Sequence, residues 1–70
     1  MKLSFDIPVY NKEVRAAVQQ GKSHPDFEDK WADIHIMTER AHTPDEAWAQ
    51  CERKHPERLG FILGDAVDAL

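Results

Sequence analysis

The chain has 70 residues, of which 41% are hydrophobic and 31% are charged, so it suits one small domain and is too apolar for a disordered segment. Its formal net charge of −4 disfavours functions that depend on neutralising phosphates. A single cysteine allows no internal disulfide and favours a reducing compartment. Because we find no apolar run typical of a signal peptide or a membrane span, we expect a cytoplasmic protein.

The first ten residues alternate between apolar and polar positions. The apolar members of the alternation are Leu3, Phe5, Ile7 and Val9. A period of two predicts a half-buried strand or extended arm at residues 1–10. Pro8 restricts this strand to a sheet edge or to the strand's own end. Its partner is either residues 59–63 of the same chain or the same strand in a second copy.

A first helix is predicted at residues 12–20. Asn11 is a suitable N-cap, because its side chain can accept from the free amides of the first turn. Gly21 suits the position just after the helix, where a left-handed backbone is common.

Three dipeptides of proline and an acidic residue mark further helix starts. They are Pro25-Asp26, Pro44-Asp45 and Pro56-Glu57. Proline fits the first helical position, and a carboxylate in the first turn interacts favourably with the helix dipole. The dipeptides predict helices at residues 25–41 and 44–54 and a fourth helix from residue 56. Thr43 with Glu46 forms a capping box for the helix at 44–54.

The segment from residue 56 has two interpretations. A helical spacing of three and four relates Leu59, Ile62, Leu63, Ala66, Val67 and Leu70. Gly60 and Gly64 each cost about 1 kcal/mol relative to alanine inside a helix, which favours an extended 59–63 instead, with a helix that begins only near Asp65. We prefer the helix because the spacing continues across both glycines.

These elements predict a mostly α domain at residues 1–70. A small bundle of about four short helices, at 11–70, follows an N-terminal β-strand or extended arm at 1–10. A core of this size is marginal, so we expect a homo-oligomer.

One polar stripe on the predicted second helix suggests a metal site. His35, Glu39 and His42 are spaced i, i+4 and i+7, and Glu39 with His42 matches the Glu-x-x-His pairing of di-iron bundles. Such ligands would hold a divalent metal or a di-iron centre between two helical chains. The same positions also suit ordinary boundary residues beside an apolar face.

Two other groups of residues are candidates for chemistry or nucleic-acid binding. Cys51 and His55 are spaced i, i+4, but a lone cysteine on an apolar face usually packs as a small hydrophobe. A basic cluster, which fits a helix-turn-helix, is formed by Arg53, Lys54, His55 and Arg58. A ribbon-helix-helix plan would present Lys2, Ser4 and Asp6 to DNA, where Asp6 is repelled by phosphate.

The sequence therefore predicts a non-enzymatic protein–protein interaction module: a small regulator, inhibitor or accessory subunit. It would act as a homo-oligomer and present an acidic or aromatic surface to a protein partner. We expect no catalytic residue, cofactor or membrane contact. The alternatives are a metal-binding helical dimer that uses His35, Glu39 and His42, and a dimeric DNA-binding regulator.

Overall fold

A computed structural model describes residues 1–69 of the chain, and these residues form a small α/β fold rather than a helical bundle. Its strands are β1 (Leu3–Asn11), β2 (His35–Ala41), β3 (Phe61–Leu63) and β4 (Val67–Asp68). Its α-helices are α1 (Lys12–Gln19) and α2 (Pro44–Lys54), with 3-10 helical turns at Asp29–Ala32 and Glu57–Leu59. The predicted mostly α architecture of four helices is wrong.

The predicted N-terminal strand is present as β1, but it lies in the centre of the sheet. It pairs antiparallel with β2 from Leu3↔Ala41 to Val9↔His35. On its other side it pairs antiparallel with β3 and then with β4. The partners of β1 are therefore within the chain, and β1 is not free to pair across a dimer.

Pro8 is accommodated in this central strand by a gap on one side. The pairing with β3 begins at Val9, and the pairing with β4 ends at Asp6. Pro8 thus lies between the two ladders, where its oxygen accepts from the Gly64 amide at 2.8 Å. A Cβ atom at Gly64 would lie 2.5 Å from Cγ of Pro8, so the missing side chain makes room for the proline ring.

The predicted helix at residues 25–41 is replaced by a loop, a 3-10 turn and β2. In β2 the inward residues are His35, Met37, Glu39 and Ala41, and the outward ones are Ile36, Thr38 and Arg40. An inward glutamate and an outward isoleucine conceal the period of two in the sequence. The β-branched Ile36 and Thr38 favour the strand.

The helices predicted at 12–20 and 44–54 are confirmed as α1 and α2. Oδ1 of Asn11 accepts from the amides of Glu13 and Val14 at 2.9 and 3.1 Å. Oγ1 of Thr43 accepts from the Glu46 amide at 3.1 Å. Both helices begin where a side-chain cap is encoded locally.

The predicted fourth helix, from residue 56, is also wrong. The chain forms the turn Glu57–Leu59, and Gly60 then adopts a left-handed backbone with φ of +99°. The extended alternative for 59–63 holds at Phe61–Leu63, but the helix that it placed near Asp65 is wrong, because the chain forms β4 there. Leu70, the last member of the proposed helical stripe, lies outside the described residues.

The core lies between one face of the sheet and the helices. Fully buried members are Phe5, Ile7, Val9, Val14, Ala47 and Cys51. The Phe61 ring lies among the rings of Phe27, Trp31 and His55, with centroids 5.1 to 5.3 Å away. On the opposite face Ile34 and Ile36 are each 59% exposed, and Arg15 of α1 lies 3.8 Å from the centre of the Tyr10 ring.

Candidate functional site

The sheet has two edges, and the hydrogen bonds of β1 show which backbone groups reach each edge. The Ser4 and Pro8 oxygens accept from Ala69 and Gly64, so the even-numbered residues of β1 face β3 and β4. In an antiparallel ladder successive residues alternate between the two sides. The register then directs the backbone groups of Leu63 away from β1 on one edge. By the same alternation, the backbone groups of Thr38 point away from β1 on the β2 edge.

A cleft lies beside the β3 edge, between that strand and α2. It has a volume of about 200 Å³, and we call it the acidic–aromatic cleft. Its lining residues are Trp48, Glu52, Glu57, Phe61, Ile62 and Leu63. It combines an apolar floor from β3 with an aromatic ring and two carboxylates.

The walls of the cleft follow from local structure. Trp48 and Glu52 are four residues apart on α2 and therefore lie on the same helix face. Glu57 begins the turn after α2, and its amide donates to Oε2 of Glu52 at 3.2 Å. This bond holds the turn against the helix, so the two glutamates line one cleft.

The charge of the cleft is not neutralised internally. Neither Glu52 nor Glu57 forms an ion pair with any residue in the described part of the chain. The Trp48 side chain is also accessible, with 38% of the residue exposed. Two carboxylates without an ion-pair partner in the same cleft as an exposed indole ring favour a cationic group that carries an apolar stem.

The residues predicted as metal ligands lie on or after a strand rather than on a helix. His35 and Glu39 share the inner face of β2, but they are four positions apart along the strand, a distance of about 13 Å. His42 follows the strand, and its Nδ1 lies 3.3 Å from the Glu46 carboxylate. Among residues 1–69 no group of three His, Cys, Asp or Glu side chains is arranged to hold a metal. The metal site remains a prediction, but the helical spacing on which it was based is not present.

Glu39 is instead a buried carboxylate paired with an exposed lysine. Both of its carboxylate oxygens accept from Nζ of Lys54, at 2.9 and 3.0 Å. The Glu39 side chain is 7% exposed, whereas that of Lys54 is 63% exposed. This pair joins the inner face of β2 to the end of α2, and it explains how an acidic residue occupies an inward strand position.

The Cys51 thiol is not poised for nucleophilic chemistry. Its Sγ lies 3.8 Å from Nδ1 of His55, as the predicted i, i+4 spacing allows. Burial raises the pKa of the Cys51 thiol, and the nearby Glu39 carboxylate raises it further. Since the thiolate is the nucleophile, Cys51 serves here as a small buried core residue.

The DNA-binding hypotheses lose the geometry on which they were based. Lys54, in the basic cluster, is paired with Glu39, and the helix expected after Pro56 is absent. In the ribbon plan, β1 would pair with its copy, yet both of its sides are occupied within the chain. Asp6 accepts from Oγ1 of Thr38 at 2.7 Å and contributes negative charge to the open face.

The acidic–aromatic cleft could not be predicted from the sequence, because half of its lining residues belong to β3, a segment for which a helix was expected. The pair Trp48 and Glu52 was visible on a correctly predicted helix, and their shared face was a usable signal. The position of Glu57 was hidden because Pro56 seemed to begin another helix.

Comparison with protein-family models, curated proteins and solved structures gives no match to this chain. Geometry and chemistry are therefore the basis for assigning a function. No helix within residues 1–69 is sufficiently long and apolar to cross a membrane.

Proposed function

We propose that the protein is a non-enzymatic protein–protein interaction module whose acidic–aromatic cleft binds a basic side chain of an extended partner segment. The observation that carries this proposal is the exposed Trp48 ring beside two carboxylates, Glu52 and Glu57, that have no ion-pair partner among the described residues. In this role the protein is a small regulator, inhibitor or accessory subunit.

The chemistry of the cleft favours arginine or lysine over other side chains. Tryptophan is the best aromatic partner for a cation, and such a contact contributes about 0.5–1 kcal/mol at an exposed site. Hydrogen bonds between a guanidinium and a carboxylate are charge-assisted and directional. The aliphatic stem of the bound side chain would pack on Leu63, whose side chain lies on the same face of the sheet as Phe61.

The backbone at the cleft supports an extended conformation for the bound segment. The N–H and C=O groups of Leu63 point outward from the sheet, because Ile62 is the β3 residue that faces β1. An extended peptide can pair with such groups while its side chains occupy adjacent pockets. β3 has three residues, so we expect few main-chain bonds and a weak affinity.

The surrounding charge also fits a basic partner. Residues 43–70 carry six acidic and three basic residues, so this half of the chain attracts cationic segments at low ionic strength. A reducing compartment such as the cytoplasm is part of the proposal, since Cys51 is a buried free thiol.

A peptide titration tests the proposal. The probe is the blocked pentapeptide Thr-Val-Arg-Val-Thr, and the control peptide has neutral citrulline in place of arginine. We expect shifts in the amide NMR signals of Trp48, Glu57 and Leu63 with the arginine peptide only. Equal shifts with both peptides, or shifts elsewhere, would contradict the proposal.

Charge-neutralising variants provide the matched comparison. We expect the double substitution Glu52→Gln and Glu57→Gln to weaken arginine-peptide binding about tenfold, corresponding to about 1.4 kcal/mol. The glutamine at 52 keeps an oxygen for the amide of residue 57. The control pair Asp26→Asn and Glu28→Gln changes net charge equally, in an exposed loop, and should leave binding unchanged.

A further inference from the structure

The outer edge of β2, on the opposite side of the sheet from the cleft, has backbone groups that no strand in the described chain uses. The backbone N–H and C=O groups of Ile36, Thr38 and Arg40 point away from β1, because those of the odd-numbered residues of β2 face β1. We call these three the outward residues. Their side chains lie on the open face of the sheet and are exposed. An edge of this kind is a template for another strand.

β2 lacks two of the usual protections of an edge strand, a bulge and a proline, and of its charged residues Glu39 and Arg40 only Arg40 has no ion-pair partner among the described residues. Its pairing with β1 runs without a bulge over all seven residues, and the strand contains no proline. Proteins that avoid edge pairing use short strands, bulges, prolines or charges at the edge. The inward Glu39 is a charge of this type, but Lys54 already neutralises it.

We infer that β2 pairs antiparallel with β2 of a second copy of this chain, giving a homodimer with one continuous sheet. A twofold axis at Thr38 sets Thr38 opposite its own copy and Ile36 opposite Arg40 of the second copy. All three outward residues of each strand then form hydrogen-bonded pairs. This inference goes beyond the proposed peptide binding and uses a different edge.

The side chains favour this register over its neighbours. Centring the axis on Glu39 sets two glutamates directly opposite each other, which is destabilising. Centring it on Met37 leaves Arg40 without an opposite residue inside the strand. In the register centred on Thr38, two threonines face each other, and the aliphatic stem of each Arg40 covers an Ile36 that is 59% exposed in the single chain.

A second copy suits this edge better than an unrelated segment, because the edge is self-complementary. One end of the outward row is apolar, at Ile36, and the other is basic, at Arg40, so antiparallel pairing separates the two positive charges. The pairing also shields part of the exposed Ile36 side chain, and a small domain gains stability from such burial.

The first test is the mass in solution by light scattering at submillimolar concentration. We expect twice the 8.1 kDa of the single chain, and a mass of one chain would overturn the inference. The variant Thr38→Pro removes an outward N–H that the sheet of the single chain does not use. It should keep the circular dichroism spectrum of the fold and have the mass of a single chain; a folded Thr38→Pro dimer would refute the β2 interface.

Disulfide trapping tests the register of the two β2 strands in variants that, unlike Thr38→Pro, keep all backbone N–H groups of the β2 edge. In a hydrogen-bonded antiparallel pair the Cα atoms are about 5.5 Å apart, within the range for a disulfide. We expect Thr38→Cys to form covalent dimers under mild oxidation. The control Arg40→Cys places its two thiols several residues apart along the strands and should not. Cross-linking of Arg40→Cys, with none for Thr38→Cys, would overturn the register.

Discussion

The two edges of the sheet differ in how much strand they expose and in what surrounds it. The β2 edge is seven residues long and continuous, and its flanking side chains are apolar at one end and basic at the other. The opposite edge is divided between β3 and β4, with Pro8 and Gly64 at the gap, and the acidic–aromatic cleft lies beside β3. A long regular edge suits self-pairing, whereas a short edge next to a charged cleft suits recognition through side chains.

Among substitutions near β3, Asn11→Ala is expected to lower the stability of the fold the most. Asn11 is fully buried, caps α1 and donates to the Leu59 oxygen at 3.1 Å. Losing the cap and leaving buried groups unsatisfied should lower the free energy of unfolding by about 2–3 kcal/mol. Urea denaturation measures this value.

The other N-cap provides the control for Asn11. Thr43→Ala removes a single exposed capping bond, so a cost of about 1 kcal/mol is expected. Equal costs for the two variants would contradict the role of Asn11 in holding the turn before β3.

A smaller effect is expected at the gap between β3 and β4. Gly64→Ala places a methyl group 2.5 Å from Cγ of Pro8, and such overpacking costs about 1–3 kcal/mol. The thermal midpoint should fall, and the Leu63 amide signal should move because this variant distorts the β3 edge.

Removing the Pro8 ring tests whether its close approach to position 64 causes the loss of stability. In the double variant Pro8→Ala with Gly64→Ala, the second substitution should cost much less than it does alone. Additive costs of the two substitutions would show that the close approach of Pro8 and Gly64 is not the cause.

The smallest effect on stability is expected at Cys51, which lies on the buried face of α2. Burial raises the pKa of the Cys51 thiol above its ordinary value of 9.0, so the folded state favours the protonated form. Stability from this group is therefore complete below about pH 9.0 and is lost as the pH rises toward the higher pKa of the folded protein. Cys51→Ala should remove this alkaline slope, and an unchanged slope would assign it to other groups.

The parts of the fold that sequence could predict are those fixed by local signals. Asn11 and Thr43 encode caps within three residues of the amides they bind, and the alternation from Leu3 to Val9 encodes β1. These interactions depend little on the rest of the chain, so the sequence pattern is sufficient.

The elements that were missed depend on tertiary contacts. The inward Glu39 makes β2 resemble a helix with a polar stripe, and its partner Lys54 is 15 residues away. β3 and β4 are too short to show a period, and they exist because they pair with β1. The candidate metal ligands were chosen from their spacing on a helix at 25–41, which the fold replaces with β2, so the metal site stays a prediction without that spacing behind it.

Amide hydrogen exchange tests the contrast between the two edges most directly. We expect slow exchange for the amides of Ile36, Thr38 and Arg40 in the wild-type protein, because a second β2 strand accepts from them. We expect faster exchange for the Leu63 amide, slowed when the arginine peptide is added. Fast exchange at Thr38 in a stable dimer, or slow exchange at Leu63 without peptide, would contradict the assignment of the two edges.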